Sequence, residues 1–257
     1  MLDRRTFIKS GIACGGAAAA LAGGTVTGAV SDPSGVAGYD YRRPALAQGS
    51  RLVFLGDSIT DMKWGRNESD RNHYLGHSYV YLIAARLGVD MPQAHLEFFN
   101  RGISGNKVAD LKARWQKDAI DMQPDLLSIL VGVNDVGRGQ GQHVALERWE
   151  ADYRFLLDSS RKANAHLCLV LLDPFVLRVG RLQADDAWEH WRGQVDEMRR
   201  IVARLAQDYH AIHVKTQDVF DAAAQVAAPD HWIWDGVHPL PQGHELIARQ
   251  WLQQVSR

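Results

Sequence analysis

The chain has 257 residues, 46% of them hydrophobic and 23% charged, a composition that supplies a buried core and excludes a largely disordered protein. Lys plus Arg total 29 against 30 Asp plus Glu, so no basic field is present to hold nucleic acid. Two cysteines cannot build a disulfide scaffold or a structural zinc site.

The first 47 residues differ from the rest. Arg4 and Arg5 are followed by Phe7 and Lys9, and a Gly/Ala-rich, weakly apolar run extends from Ser10 to about Val30. A charged start, a mild apolar middle and small residues afterwards have the layout of an export signal, and the paired arginines resemble the twin-arginine type. The run has too few large aliphatic residues to favour a membrane-spanning helix. Ala45-Leu46-Ala47 is one small-x-small cleavage site and Thr27-Gly28-Ala29 a competing one, with residues 31–47 reading as a flexible linker. The expected division is therefore a leader and linker over 1–47 and one domain over 48–257. The mature protein is expected outside the cytoplasm, in the periplasm, at the cell surface or secreted, with no stable membrane span. Its balance becomes 24 basic against 27 acidic groups, and Cys168 is left as its single cysteine.

Beyond the leader, short apolar runs alternate with longer stretches of helical periodicity. Strands are expected at Arg51–Leu55, His95–Phe99, Asp125–Val131, His166–Leu172 and Ala211–Val214. Helical stripes run through Tyr79, Leu82, Ile83 and Leu87, more weakly through Val108, Leu111, Trp115 and Ile120, and then through Trp149, Tyr153, Leu156 and Leu157. Two more follow, through Val195, Met198, Ile201, Val202 and Leu205 and through Leu246, Ile247, Trp251 and Leu252. Buried strands separated by helices predict an α/β fold, a parallel sheet with helices on both faces. In that architecture reactive groups belong just after the carboxyl ends of strands.

Four blocks occupy such positions. Gly56-Asp57-Ser58-Ile59-Thr60-Asp61 follows the first strand, where Ser58 is either an exposed nucleophile or, with Asp57, a helix cap. Asn100-Arg101-Gly102-Ile103-Ser104-Gly105-Asn106 follows the second and offers a bare glycine N–H, although a plain turn has the same composition. Gly132-Val133-Asn134-Asp135 follows the third, where Asn134 is either an amide donor or turn chemistry. In Trp234-Asp235-Gly236-Val237-His238-Pro239 the three-residue spacing lets Asp235 fold back onto the His238 ring and fix its tautomer.

In this order and spacing the blocks resemble those of the GDSL, or SGNH, hydrolase superfamily, from Arg51 to the C-terminus. The resemblance implies a three-layer α/β/α, flavodoxin-like fold with a five-stranded parallel sheet. It also implies a catalytic triad of Ser58, His238 and Asp235, and an oxyanion hole built from the Ser58 N–H, the Gly105 N–H and the Asn134 amide. Such an enzyme works through an acyl-serine and needs no metal or organic cofactor. The stretches Ser104–Trp115, Gly132–Val136 and Asp235–Pro239 look like the branch containing bacterial acetylxylan esterases, which implies an acetylated oligosaccharide as substrate.

Asp57 beside the nucleophile, and Trp64, Trp232 and Trp234 near the site blocks, are candidate substrate contacts; for the tryptophans, core packing is the competing reading. A lysophospholipase or thioesterase with the same triad is the alternative within the superfamily, and a sugar-binding or acyl-transfer protein the alternative outside hydrolysis. Other signals are weaker. His73 and His77 are four apart but lack a third ligand, Gly137–Gly141 lacks the Lys-Ser/Thr of a phosphate loop, and Cys168 sits in an apolar run as a core thiol.

Overall fold

All five apolar runs form strands in the computed structural model, which describes residues 41–136 and 143–256. The segment expected as a twin-arginine leader and the glycine-rich Gly137–Gly141 stretch lie outside the described residues.

The strands are β1 (Arg51–Gly56), β2 (Glu97–Gly102), β3 (Leu126–Leu130), β4 (Cys168–Leu172) and β5 (Ile212–Val214). Every pairing is parallel and the order is β2-β1-β3-β4-β5, the flavodoxin-like order of a doubly wound sheet. β3 and β4 are buried along their whole length, as strands covered on both faces must be. β2, at the edge, alternates buried and half-buried residues.

The helices are α1 (Ser58–Asp61), α2 (Tyr79–Asp90), α3 (Val108–Trp115), α4 (Leu146–Ala163), α5 (Asp185–Asp208), α6 (Thr216–Ala223), α7 (Pro229–Trp232) and α8 (Pro241–Val255). α2 and α6 pack on α8 in one layer, and α3, α4 and α5 pack in sequence in the other. The three-layer α/β/α architecture is thus the one the sequence predicts. The expected apolar stripes supply the contacts: Tyr79, Ile83, Leu87, Tyr153, Leu156, Val202 and Trp251 are all buried. None of the described helices is long and apolar enough to cross a membrane.

Three local features depart from the expected pattern. β2 begins two residues later than expected, because His95 takes a left-handed backbone (φ 48°) at the end of the Pro92–Ala94 turn. It also runs three residues further, since Asn100, Arg101 and Gly102 pair with Phe54, Leu55 and Gly56. The second block therefore starts inside the strand. α3 ends in a π turn over Gln116–Ile120, which explains why its stripe steps five residues from Trp115 to Ile120. Tyr41, Pro44 and Leu46, within the segment expected as linker, lie against the domain: Pro44 is buried, and the Tyr41 hydroxyl donates to Asp90.

Candidate active site

The strand order places the ends of β1, β2 and β3 side by side, so the first three blocks share one edge of the sheet. At the end of β1, Asp57 caps α1 by accepting the Ile59 N–H at 3.0 Å, a contact that stabilises a helix by about 1 kcal/mol. Ser58 is then the first helical residue, where a backbone N–H has no carbonyl within the helix to bond. The cap and the half-buried serine are therefore not alternatives, since one turn supplies both.

The last block folds into a closed loop. Ile233 bridges Pro239 in antiparallel fashion, the Trp234 N–H donates to the His238 carbonyl at 3.2 Å, and Leu240 N–H to Trp232 at 2.9 Å. Within it, Asp235 Oδ1 accepts the N–H groups of Val237 (3.0 Å) and His238 (2.8 Å), while Oδ2 lies 2.9 Å from His238 Nδ1. Gly236 turns the chain with φ 97°, which a side chain would oppose. Burial alone would raise the Asp235 carboxyl, but the bonds from the His238 ring and the two amides outweigh it and hold the group well below the usual carboxylate range. Arg181 Nη2 lies 3.6 Å from the same Oδ2.

On the other side of the ring, His238 Nε2 is 2.8 Å from Ser58 Oγ. With Nδ1 donating to an ionised Asp235, Nε2 is the basic nitrogen and the serine hydroxyl donates to it. Residues 180 positions apart in sequence thus form one chain of contacts: carboxylate, imidazole, hydroxyl.

Gly105 has φ 85° with open space where a Cβ would stand, so its glycine is required by backbone conformation and not by crowding. Asn134 lies in the turn Val133–Asp135 and donates one Nδ2 hydrogen to the Asn106 carbonyl at 3.2 Å. A carboxamide nitrogen has two hydrogens, so this bond fixes the amide while the second N–H remains to donate.

The four proposed substrate contacts separate. Asp57 is buried, with Oδ2 unpartnered, and burial pushes its carboxyl up to about 7. Trp64 is buried and donates to the Gly102 carbonyl at 2.9 Å; Trp232 is buried and donates to Ala223 at 3.0 Å. These three are set beneath the surface by packing and capping. Trp234 alone is open, 61% exposed, with its ring inclined 28° to His238 and the centroids 6.4 Å apart. His73 faces Asp70 (2.9 Å) in a turn and not on a helix, and Cys168 is buried in β4.

Several supporting residues carry no separate signal in the sequence. Asp61 Oδ2 accepts both the Ser104 N–H (2.9 Å) and its hydroxyl (2.7 Å), tying α1 to the Gly105 loop. Asn100, buried at the end of β2, donates to the carbonyls of Thr60 (2.7 Å) and Leu75 (2.8 Å). Asp135, pushed up to about 7 by burial, accepts the Val108 N–H at 3.3 Å. Asp61, Asn100 and Asp135 lie inside the recognisable blocks, but their partners lie in other blocks or segments, and only the sheet order brings them together.

Known proteins resemble this chain in sequence and in fold. The sequence matches the GDSL-like lipase/acylhydrolase family over residues 54–246. It is 34% identical to an acetylxylan esterase of Geobacillus stearothermophilus over 218 residues, 82% of this chain and 96% of that one. The crystal structure of that esterase superposes with a TM-score of 0.72, covering 82% and 96% of the two chains at 33% identity. A structure described as a GDSL-like lipase, from Parabacteroides merdae, gives 0.77 at 35% identity, covering 83% and 99%. The chain accordingly belongs to the GDSL-like lipase/acylhydrolase family and is a carboxylic ester hydrolase.

Proposed function

We propose that the protein is a serine esterase that removes acetyl groups from xylan-derived or related carbohydrates. The contact chain Asp235–His238–Ser58, with spacings of 2.9 and 2.8 Å, carries this reading. His238 takes the Ser58 proton as Oγ attacks the ester carbonyl, and Asp235 stabilises the imidazolium that results. The oxyanion is received by the Ser58 and Gly105 N–H groups and the second Asn134 amide hydrogen. As the bond between the acyl carbon and the sugar oxygen breaks, the His238 imidazolium gives its proton to that oxygen, which leaves as the sugar hydroxyl. Water, activated by the same imidazole, attacks the acetyl-serine and releases acetate.

Support for the roles comes from the Geobacillus esterase, whose catalytic mutants replace a serine, an aspartate and a histidine three positions beyond it by alanine. Asp235 and His238 have the same spacing. Its acetylxylan substrate supports acetylated carbohydrate here, and the open ring of Trp234 beside His238 supplies a face on which a sugar could stack. A leader of the twin-arginine type fits an enzyme that meets polysaccharide outside the cytoplasm.

The test is acetate release from acetylated xylo-oligosaccharides, compared with hydrolysis of C8 or longer acyl esters. The acetylated sugars are expected to be preferred, and Ser58→Ala should lower kcat at least about 10⁴-fold. Undiminished activity in Ser58→Ala sinks the mechanism. A preference for long chains keeps the mechanism and replaces the substrate with a lysophospholipid or thioester, and acetyl transfer between sugars would mark an acyltransferase.

A further inference from the structure

We propose that Arg114 is a positioning residue that sets the distance between the Ser58 turn and the other two oxyanion donors. The inference rests on the esterase reading above. Arg114 is near the end of α3, outside the four blocks, and its side chain is 15% exposed. Each nitrogen of its guanidinium has a different partner. Nε donates to the Asn106 side-chain oxygen at 2.8 Å, Nη2 reaches the Gly56 carbonyl at 3.4 Å, and Nη1 donates to Asp118 at 2.8 Å.

These partners belong to separate arms of the site. Gly56 is the last residue of β1, immediately before Asp57 and Ser58. Asn106 follows Gly105, and its carbonyl accepts the Asn134 amide. One planar cation therefore spans the nucleophile turn and the glycine loop directly, and reaches the third donor through Asn106. Asp118 sits on the π turn after α3, four residues on, and anchors the guanidinium from behind. The Gly56 carbonyl also accepts the Ile103 N–H at 3.1 Å, so both ends of the glycine loop are referred to the same atom.

An oxyanion hole works only if its donors are preset to the position of the developing charge, and a displacement of about 1 Å costs on the order of 100-fold. Lysine cannot replace such a fork, because an ammonium is a point charge without fixed directions. Arg114 acts through Asn106 and Gly56, so its loss should appear in kcat and not in KM.

Arg114→Lys and Arg114→Ala are assayed on p-nitrophenyl acetate beside Arg154→Ala, which loses ion pairs to Glu150 and Asp208 in α4 and α5. Both Arg114 variants are expected to lose roughly 10- to 100-fold in kcat with KM within about 2-fold of the parent. Their phosphonylation by a phosphonofluoridate, whose phosphoryl oxygen occupies the oxyanion site, should slow in parallel. Millimolar methylguanidinium should restore part of the activity of Arg114→Ala. Arg154→Ala should melt earlier with kcat unchanged. The proposal is overturned if kcat stays within about 2-fold in Arg114→Lys, or if the loss lies in KM alone. It is equally overturned if activity follows melting temperature alike in the Arg114 and Arg154 variants. Should Arg114→Ala fail to fold, Arg114→Lys decides the matter. Activity surviving in Ser58→Ala would instead strike the esterase reading itself.

Discussion

Two carboxylate–imidazole contacts lie near the carboxyl ends of the strands, and their surroundings differ. In the last loop Asp235 holds His238 by Nδ1, and Ser58 meets Nε2 on the far side of the ring. Just beyond β4, Asp173 lies 2.7 Å from Nε2 of His213 on β5, with Arg199 Nε at 3.4 Å. Among the described residues no hydroxyl meets the other nitrogen of His213. Arg199 also binds Asp196 and Asp218, so the Asp173 cluster ties α5 and α6 to the sheet. The first pair is built into a chain that ends at the Ser58 hydroxyl, the second into an ion network that ends in packing. An aspartate touching a histidine is thus not a catalytic feature in itself; the atom beyond the ring makes the difference.

The comparison can be broken most sharply at Asp235. Asp235→Asn should leave the loop closed but lower kcat by about 10³- to 10⁴-fold, since the imidazole loses the anion that fixes its tautomer and stabilises its charge. Steady-state kinetics on an acetyl ester would reveal this, and a loss under tenfold would remove Asp235 from the triad.

At the second pair the expected effect is on folding. Asp173 is almost fully buried, so Asp173→Ala leaves His213 and Arg199 facing an empty acceptor position. A cost of about 3 kcal/mol is expected in urea unfolding, with kcat per folded molecule unchanged. A large kcat loss in fully folded protein would show that the two pairs do not divide as described.

The smallest effect concerns Asp57 and depends on pH. Burial raises this carboxyl from 3.8 to about 7. Between those values the folded protein keeps a proton that the unfolded chain has released, so stability falls as pH rises from about 4 through 7. Asp57→Asn still caps Ile59 but has no proton to lose. It should gain about 1 to 3 kcal/mol over the parent at pH 8 and nothing at pH 4, read from unfolding at the two pH values. A gain independent of pH would show that burial of the charge is not the cause.

Asp173 and His213 show why sequence separates these pairs only partly. Asp235 and His238 are three residues apart and share a loop, so their contact follows from local geometry. Asp173 and His213 are 40 apart and meet only because β5 pairs with β4. The same distinction divides the fold. Apolar runs and helical stripes are local, and they predict the five strands and the helices between them. The left-handed turn at His95, which delays β2, and the π turn after Trp115 are decided by neighbouring backbone that periodicity does not describe.

By itself the sequence determined the α/β class, the four blocks and the residue types offered to chemistry, because strand periodicity, turn composition and short spacings are properties of neighbouring residues. Tertiary structure alone decided which tryptophans stay under the surface and which one opens beside His238. It also decided that Asp61 would hold Ser104, and that Arg114 would reach both Gly56 and Asn106. Those contacts join segments up to 58 residues apart, and they exist only because parallel pairing in the order β2-β1-β3 brings three strand ends to one edge.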